Sequence, residues 1–235
     1  MIKSGFSVII PVYNEEKVIV KNTEKILTFL NKMKIPFEIV LGNNGSTDRT
    51  EELGRCLEKK YKNIKFVSSN EKGVGIGIKE AILNSSYEKL VEMPMDLCID
   101  LKFIPSCVEL LDHYAIVIGS KKMGKQKRAL WKIILSFGYI FLMRYMFGLE
   151  YVDYSVGGKG YKKSFILSRI NKIDESSFYV TDFIYYAKKK KEKITEIPIY
   201  CEDRRKSRFN YFKEVLCRLK SLFSLWFSEN ILKKV

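Results

Sequence analysis

Short apolar runs alternate with amphipathic segments through the first half of the chain. The runs are typical of buried β-strands, and they lie at 6–11, 37–41, 64–68, 89–92 and 115–118. Between them, apolar residues recur about every 3.6 positions, which predicts helices at about 15–31, 48–60, 75–84 and 102–111. This alternation predicts an α/β fold with a mostly parallel central sheet flanked by helices.

The pattern changes after residue 119. Residues 128–147 predict one or two amphipathic helices, and residues 152–161 predict a glycine-rich turn between short strands. Beyond them we expect, in order, a helix at about 179–190, a strand at 194–200, a basic loop at 204–208 and a final amphipathic helix. The chain is therefore predicted to form one domain over residues 1–210, followed by a C-terminal amphipathic helix over residues 211–235.

Charge and cysteine usage narrow the classes of partner. The chain has 235 residues and a formal net charge of +15, with a pI near 9.4. Such a surface attracts polyanions: nucleic acid, an anionic membrane or a phosphate-bearing substrate. The sequence contains no RNP, zinc-finger or KH signature, so nucleic acid is the least favoured partner. The five cysteines lack C-x-x-C spacing, which indicates neither a disulfide framework nor a zinc site and fits a reducing cytoplasm.

Targeting and membrane signals are weak. The first residues lack the basic-then-apolar order of a secretory signal. The longest uncharged apolar stretch, 133–143, is shorter than the roughly 18 residues that a membrane-spanning helix needs, so we expect no span. Apolar stripes with Lys and Arg between them, over 128–147 and 212–231, fit either core packing or helices that lie in a membrane interface.

Two of the predicted strands end in polar turns. Residues 6–16 read FSVIIPVYNEE, and residues 38–48 read EIVLGNNGSTD. The carboxyl ends of neighbouring parallel strands meet at one edge of a sheet, which is where nucleotides bind. Gly45 permits a tight turn, and the amide of Asn43 or Asn44 can bond to a base or a ribose hydroxyl. A simple turn followed by a helix N-cap is the alternative interpretation.

A carboxylate and several cations supply the candidate chemistry. Asp96 follows the strand at 89–92, where a divalent metal can bridge a carboxylate to a phosphate-bearing ligand. The alternative is that Asp96 caps the next helix. Arg128 and the basic loop at 204–208 can pair with phosphate groups, although single surface cations are more often only solvated.

These motifs, in this order and spacing, resemble the family 2 glycosyltransferases of GT-A fold, and within them the polyprenyl-phosphate (dolichol-phosphate) mannose or glucose synthases. The likeness extends over nearly the whole chain. Further elements that carry it are Gly73-Val74-Gly75-Ile76-Gly77, Gly119-Ser120-Lys121, Asp153 with Gly157-Gly158-Lys159, Glu196-Ile197-Pro198-Ile199 and the loop at 204–210. Two positions depart from the family pattern: Pro94-Met95-Asp96-Leu97 replaces Asp-x-Asp-Leu, and Asn43 stands where the family usually has Asp.

The resemblance implies a role for each matching residue. The nucleotide-sugar site would comprise Pro11, Tyr13, Asn14, Glu15, Asn43, Asn44, Ser46, Gly73, Gly75 and Asp96. Asp96 would hold Mg²⁺ or Mn²⁺. The catalytic residues would be Asp96, Arg128 and Asp182. The acceptor phosphate would be bound by Arg128, Asp153, Arg204, Ser207 and Arg208.

The implied activity is inverting transfer of a hexose from a nucleotide-diphosphate sugar to a polyprenyl (dolichyl) phosphate. The protein would be cytoplasmic and peripherally associated with an anionic membrane surface. An ionised phosphate acceptor needs no strong general base, whereas a hydroxyl acceptor would need one, for which Asp182 is the candidate. Two alternatives stay open: a family 2 enzyme that acts on a sugar hydroxyl, and a catalytically impaired nucleotide-sugar-binding protein, which Pro94 and Asn43 favour.

Overall fold

The computed structural model describes residues 5–155, 157–173, 175–202 and 211–231. Within these ranges the strands are β1 (Phe6–Val12), β2 (Phe37–Asn44), β3 (Ile64–Ser69), β4 (Lys89–Glu92), β5 (Ile116–Lys127), β6 (Lys159–Lys162) and β7 (Ile194–Glu202). The helices are α1 (Ile19–Asn31), α2 (Thr50–Lys60), α3 (Val74–Asn84), α4 (Phe103–Leu110), α5 (Leu130–Phe147), α6 (Lys163–Leu167), α7 (Tyr179–Lys189) and α8 (Tyr211–Asn230).

The strands form one sheet in the order β3-β2-β1-β4-β6-β5-β7. The pairs β1–β2, β1–β4, β2–β3 and β5–β7 are parallel, whereas β6 runs antiparallel to both β4 and β5. Helices cover both faces, so the predicted α/β fold with a mostly parallel sheet is confirmed. The place of β6 was not predicted, because a strand of four residues carries too short a pattern to indicate its partners.

Strand β5 is longer than its predicted span of 115–118. It continues to Lys127, and its second half alternates between partly buried and exposed residues. After a register shift between Ser120 and Lys125, this half pairs in parallel with β7. Backbone pairing with β7, rather than an apolar pattern, therefore makes the polar half of β5 a strand.

Strand β1 shows how the core is divided between the two faces of the sheet. Successive side chains of a strand point to opposite faces. Phe6, Val8 and Ile10 pack on the face covered by α1, α2 and α4, while Ile9 packs on the face covered by α3, α5 and α7. On that second face α3 approaches β2 closely, since a Cβ added to Gly42 would lie 2.0 Å from the Gly77 carbonyl oxygen. Glycine at this position thus brings the start of α3 against the end of β2.

Helix α5 is longer than the uncharged stretch 133–143 on which the expectation of no membrane span was based. The helix is continuous over 18 residues, and it is the one helix in the described part of the chain that is long and apolar enough to cross a membrane by length and composition. Only 6% of that window is buried, and Met143 on its inner side packs into the core. The predicted C-terminal amphipathic helix, α8, places Leu222 in the same core cluster.

Candidate active site

The polar turns that follow β1 and β2 lie against each other. The backbone N–H of Asn14 donates to Ser46 Oγ at 2.9 Å, and Asn14 Oδ1 accepts from the N–H of Thr47 at 2.7 Å. The N–H of the buried Glu15 donates to Thr50 Oγ1 at 2.6 Å. The structure thus brings predicted nucleotide-sugar residues together at the carboxyl edge of the sheet. The same edge of β1 also carries the half-buried Pro11 and Tyr13.

The two asparagines at the end of β2 differ in how they are held. Asn43 is buried, its Nδ2 donates to Ser68 Oγ at 2.9 Å, and its Oδ1 accepts from the N–H of Ser46 at 3.3 Å. Asn44 is also buried, and its Oδ1 has no hydrogen-bond partner among the described residues. Asn43 therefore shapes the turn, whereas Asn44 keeps an acceptor available at the predicted nucleotide site.

The glycine-rich loop that opens α3 is held by the segment 175–177. Gly73 has a φ of 145°, and a Cβ there would lie 2.4 Å from the carbonyl oxygen of Glu175. The N–H of Gly75 donates to the same oxygen at 3.4 Å. At the other end of the segment, the N–H of Ser177 donates to Glu214 Oε1 on α8 at 3.0 Å. Gly73 therefore allows a close backbone contact, Gly75 adds a backbone hydrogen bond, and the segment 175–177 connects this loop to the C-terminal helix.

Asp96 lies in a turn directly after β4. Because β4 pairs in parallel with β1, this turn is at the same sheet edge as the two polar turns. Asp96 is half-buried, and its Oδ1 accepts from the N–H of Cys98 at 3.1 Å. Helix α4 begins only at Phe103, so Asp96 is not a helix N-cap, and that alternative is wrong.

The carboxylates near Asp96 decide how a divalent ion could be held. Glu92 is fully buried, accepts from the N–H of Gly157 and the hydroxyls of Tyr161 and Tyr179 at 2.9–3.1 Å, and burial raises its pKa, so it is not available as a ligand. The described residues contain no group of three His, Cys, Asp or Glu side chains suited to a metal. Mg²⁺ is usually bound by one or two carboxylates together with substrate phosphates. Asp96 alone therefore fits an ion that is shared with a donor diphosphate.

Pro94, which replaces the first Asp of the family pattern, lies beside the loop that carries Asp153. A Cβ on Gly157 would lie 3.4 Å from the Pro94 ring. Gly157 has a φ of 84°, a conformation that favours glycine. The turn that carries Asp96 is therefore in contact with the backbone at Gly157.

A pocket of about 580 Å³ opens next to that loop, between β5, α5 and α8. Its apolar wall comes mainly from Trp131, Ile134, Leu135, Ile140, Leu142, Val215 and Leu219. Its charged lining comprises Lys121, Lys122, Arg128, Lys132, Asp153, Glu214 and Arg218. Cations outnumber carboxylates, so the pocket combines an apolar wall with a net positive charge.

Asp153 is one of the residues predicted to bind the acceptor phosphate, and in the structure it forms a buried ion pair with Lys121. Both side chains are about 95% buried; Asp153 accepts from the Lys121 N–H at 3.0 Å and from Lys121 Nζ at 3.2 Å. Burial opposes ionisation of Asp153, but Lys121 and the fully buried Lys159 together hold its pKa well below the usual value. Asp153 therefore stays a carboxylate and fixes the position of Lys121.

The remaining predicted residues fall into two groups. Asp182 is buried on α7, and both of its oxygens accept from the Arg169 guanidinium, with Nε at 3.0 Å. A base at this position would first have to leave that ion pair, so the geometry favours a structural role for Asp182 over a catalytic one. Arg128 lines the pocket, and its predicted role in catalysis and acceptor binding stays a prediction. Arg204, Ser207 and Arg208 lie outside the described residues.

Lys122 and Arg218 line the pocket and were not predicted as site residues. Lys122 follows the Gly-Ser-Lys element, and Arg218 interrupts the apolar stripe of the last helix. A cation inside such a stripe was the available signal, but the same pattern is typical of an exposed helix face.

Comparison with known proteins identifies the family. The sequence model described as glycosyl transferase family 2 matches residues 7–170, which is more than half of the chain. The chain belongs to glycosyl transferase family 2. The matched segment begins in β1 and ends just after α6, so it contains both polar turns, Asp96, Asp153 and α5, while α7, β7 and α8 lie beyond it.

Two relatives carry informative names. This family 2 member is 27% identical over 177 residues to an undecaprenyl-phosphate 4-deoxy-4-formamido-L-arabinose transferase from Pectobacterium atrosepticum, over 73% of this chain and 53% of that protein. It is 30% identical over 146 residues to a dolichyl-phosphate beta-glucosyltransferase from Trichomonas vaginalis, over 56% of this chain and 45% of that protein. The chain spans about half the length of the curated relatives it matches.

Solved structures agree on the fold. Glucosyl-3-phosphoglycerate synthase from Mycobacterium tuberculosis, crystallised with Mn²⁺, UDP and phosphoglyceric acid, matches with a TM-score of 0.65 and 14% identity over 95% of this chain and 78% of that one. S. aureus TarS in complex with UDP-GlcNAc matches with a TM-score of 0.57 and 19% identity over 86% of this chain and 60% of that one. The predicted GT-A fold of this family 2 chain is confirmed.

Proposed function

We propose that this protein transfers a hexose, with inversion, from a nucleotide-diphosphate sugar to a polyprenyl phosphate at the cytoplasmic surface of a membrane. The names of the two relatives support a polyprenyl phosphate acceptor. The observation that carries the proposal is the pocket beside the loop at 152–155, because its lining suits a ligand that is both anionic and apolar.

The pocket matches a lipid phosphate better than a sugar hydroxyl. Arg128 offers positive charge to a phosphate, and the apolar residues of α5 and α8 suit a hydrocarbon chain. A sugar acceptor would leave most of that apolar wall exposed to water. The Arg169 partner of Asp182 further weakens the hydroxyl-acceptor alternative, since that reaction needs an available base.

The chemistry then follows from the charge of the acceptor. A phosphate monoester has a second pKa of about 6, so it is largely ionised at neutral pH and is already a nucleophile. One of its oxygens forms a bond to C1 of the sugar, and the bond from C1 to the diphosphate breaks with its electron pair leaving on the nucleoside diphosphate. Arg128 would stabilise the departing charge, and the polar turns after β1 and β2 would hold the nucleoside.

A divalent ion fits this scheme through Asp96. Asp96 would hold Mg²⁺ or Mn²⁺ together with the diphosphate of the donor, and the ion would supply neutralisation of the charge on that diphosphate. Pro94 and Asn43 leave the chain with fewer carboxylates there than the family pattern has. The nucleotide site of a binding protein without turnover would look the same, so turnover itself is the decisive measurement.

Helices α5 and α8 support a position at the membrane surface. Ile134, Phe141 and Tyr145 on α5 are each at least 67% exposed, and α8 exposes Leu216 and Phe223. The inner side of α5 is held on the domain by Met143 and its neighbours, which opposes a path across the bilayer. A helix of this kind, with Lys and Arg among its apolar residues, suits the plane of an anionic interface.

The test is a transfer assay with matched acceptors. The purified chain is incubated with radiolabelled UDP- and GDP-hexoses, with and without Mn²⁺, and with either a short-chain polyprenyl phosphate or the corresponding polyprenol. We expect label in the organic phase only with the phosphate acceptor. Label that enters only water-soluble products, or that enters the polyprenol equally well, would contradict the proposal.

A further inference from the structure

Three buried polar atoms around the pocket have no hydrogen-bond partner among the described residues. They are Lys122 Nζ, Arg218 Nε and Tyr154 Oη. Leaving a buried donor unpaired is unfavourable, and native structures rarely do so without a reason. Two of the three atoms belong to cations that line one pocket, which points to an anion as the missing partner.

Arg218 is held in position by contacts that do not involve its Nε atom. Its Nη2 donates to the Tyr154 carbonyl oxygen at 3.0 Å, and its guanidinium carbon lies 4.2 Å from the centre of the Tyr139 ring. Tyr139 is itself fixed by a hydrogen bond of 2.8 Å to Thr181 Oγ1. One helical turn earlier, Glu214 binds the N–H of Ser177, so α8 is anchored beside the pocket. Arg218 is therefore preorganised, with donor capacity unused.

Lys122 also keeps an unused hydrogen-bond donor, unlike its neighbour Lys121. Lys121 already has a carboxylate partner, since its Nζ lies 3.1 Å from Asp153 Oδ2. Lys122 Nζ instead lies 3.4 Å from the centre of the Phe137 ring on α5. An aromatic face offers a cation attraction but no hydrogen-bond acceptor, so the ammonium can still donate to a ligand.

We propose that Lys122 and Arg218 bind the phosphate group of an amphiphilic phosphomonoester in this pocket and select it over the corresponding alcohol. This inference rests on the proposed function, and it adds a binding residue from α8, which lies outside the segment matched by the family model. The hydrocarbon group attached to the phosphate would lie along the apolar wall formed by α5 and α8. The C-terminal helix is thereby part of the acceptor site.

The test is direct binding, without a sugar donor. Isothermal titration calorimetry on the purified full chain compares a short-chain isoprenyl phosphate, the matching isoprenol and inorganic phosphate. We expect Arg218→Gln and Lys122→Gln each to weaken isoprenyl phosphate binding about tenfold or more, as loss of a charge-assisted hydrogen bond does, and to leave isoprenol binding unchanged. Lys220→Gln and Lys125→Gln, which remove exposed cations from the same helix and strand, should stay within about twofold of wild type.

Arg218→Lys separates a binding role from a merely structural one. It keeps the charge, so it should recover part of the preference for phosphate over isoprenol. Melting temperatures are measured for every variant, and Lys122→Gln carries the test if Arg218→Gln does not fold. Equal losses for phosphate and isoprenol, or unchanged phosphate binding in both Gln variants, would overturn the inference. The inference would also be overturned if the variants lost affinity for a nucleoside diphosphate instead of for isoprenyl phosphate, because the two cations would then belong to the donor site.

The outcomes also separate this inference from the proposed function. Selective phosphate binding without any sugar transfer would leave the assignment of Lys122 and Arg218 standing while the transfer proposal failed. Sugar transfer to the lipid with an unchanged KM for lipid phosphate in both Gln variants would support the transfer proposal and contradict the assignment of Lys122 and Arg218.

Discussion

Replacing Asp153 by Asn tests whether the buried ion pair with Lys121 is structural. The change keeps the shape of the side chain but removes its charge. Lys121 and Lys159, which are both buried, then lose the carboxylate that compensates them. The N–H groups of Lys121 and Ser155, each 3.0 Å from a carboxylate oxygen, would also compete for the single remaining acceptor.

The expected size of the effect follows from the burial of the pair. Breaking a buried ion pair by removing one partner costs about 3–5 kcal/mol of unfolding free energy, and the retained amide oxygen places this case at about 3 kcal/mol. For a chain of this length, each kcal/mol shifts the melting temperature by about 2–4 °C, so a loss of about 6–12 °C is expected. The pKa of Asp153 is lowered, so its stabilising effect is present above the ordinary Asp pKa of about 3.9 and is lost as the pH falls further.

Thermal unfolding at pH 7, followed by circular dichroism, measures the shift. Glu52→Gln is the matched control, because it neutralises a carboxylate whose partner Arg49 lies 2.8 Å away with both side chains more than half exposed. We expect no measurable change in that variant. A melting temperature of Asp153→Asn close to that of Glu52→Gln would refute the reasoning about the buried pair.

Three further predictions concern the donor, the acceptor and the membrane. Asp96→Ala should lower transfer about tenfold or more in the organic-phase assay, because several kcal/mol of charge stabilisation are lost, whereas the exposed Asp100→Ala should not; wild-type transfer would exclude the metal role. Burial lowers the pKa of Lys122, so the affinity for isoprenyl phosphate should fall as the pH rises, at a pH below the usual Lys pKa of 10.5. Lys122→Arg should keep that affinity to a higher pH in calorimetry, and identical pH profiles of the two proteins would show that Lys122 does not cause the fall. Phe141→Asp should reduce sedimentation with anionic vesicles severalfold relative to Leu83→Asp, a control at an exposed residue of α3; equal sedimentation would contradict the interface position.

Much of the fold could be predicted from local periodicity. Strands β1 and β2 are buried on both faces, so their continuous apolar runs indicate them clearly, and the bounds of β4 were predicted as the structure has them. The meeting of the polar turns at one edge of the sheet followed from the same pattern, because parallel strands must bring their polar ends together. The contacts of Asn14 with Ser46 and Thr47 are the structural expression of that rule.

The pocket between β5, α5 and α8 was less predictable because its lining depends on long-range pairs. Lys159 is fully buried, which no local pattern indicates, since its burial depends on Asp153 and on the carbonyl oxygen of Gly119. Arg218 looks like a surface residue of an amphipathic helix until α8 is packed beside Tyr139 and Tyr154. The polar half of β5 likewise becomes a strand only through β7.

The segment 175–177 connects the glycine loop before α3 to helix α8. Its first residue holds the glycine loop through Gly75, and its last residue is bound by Glu214 of α8. A ligand that enters the pocket and moves α8 would therefore act, through Glu214 and Ser177, on the backbone next to Gly73 and Gly75. Through this segment, binding of one substrate can influence the order in which the second substrate binds and the products leave.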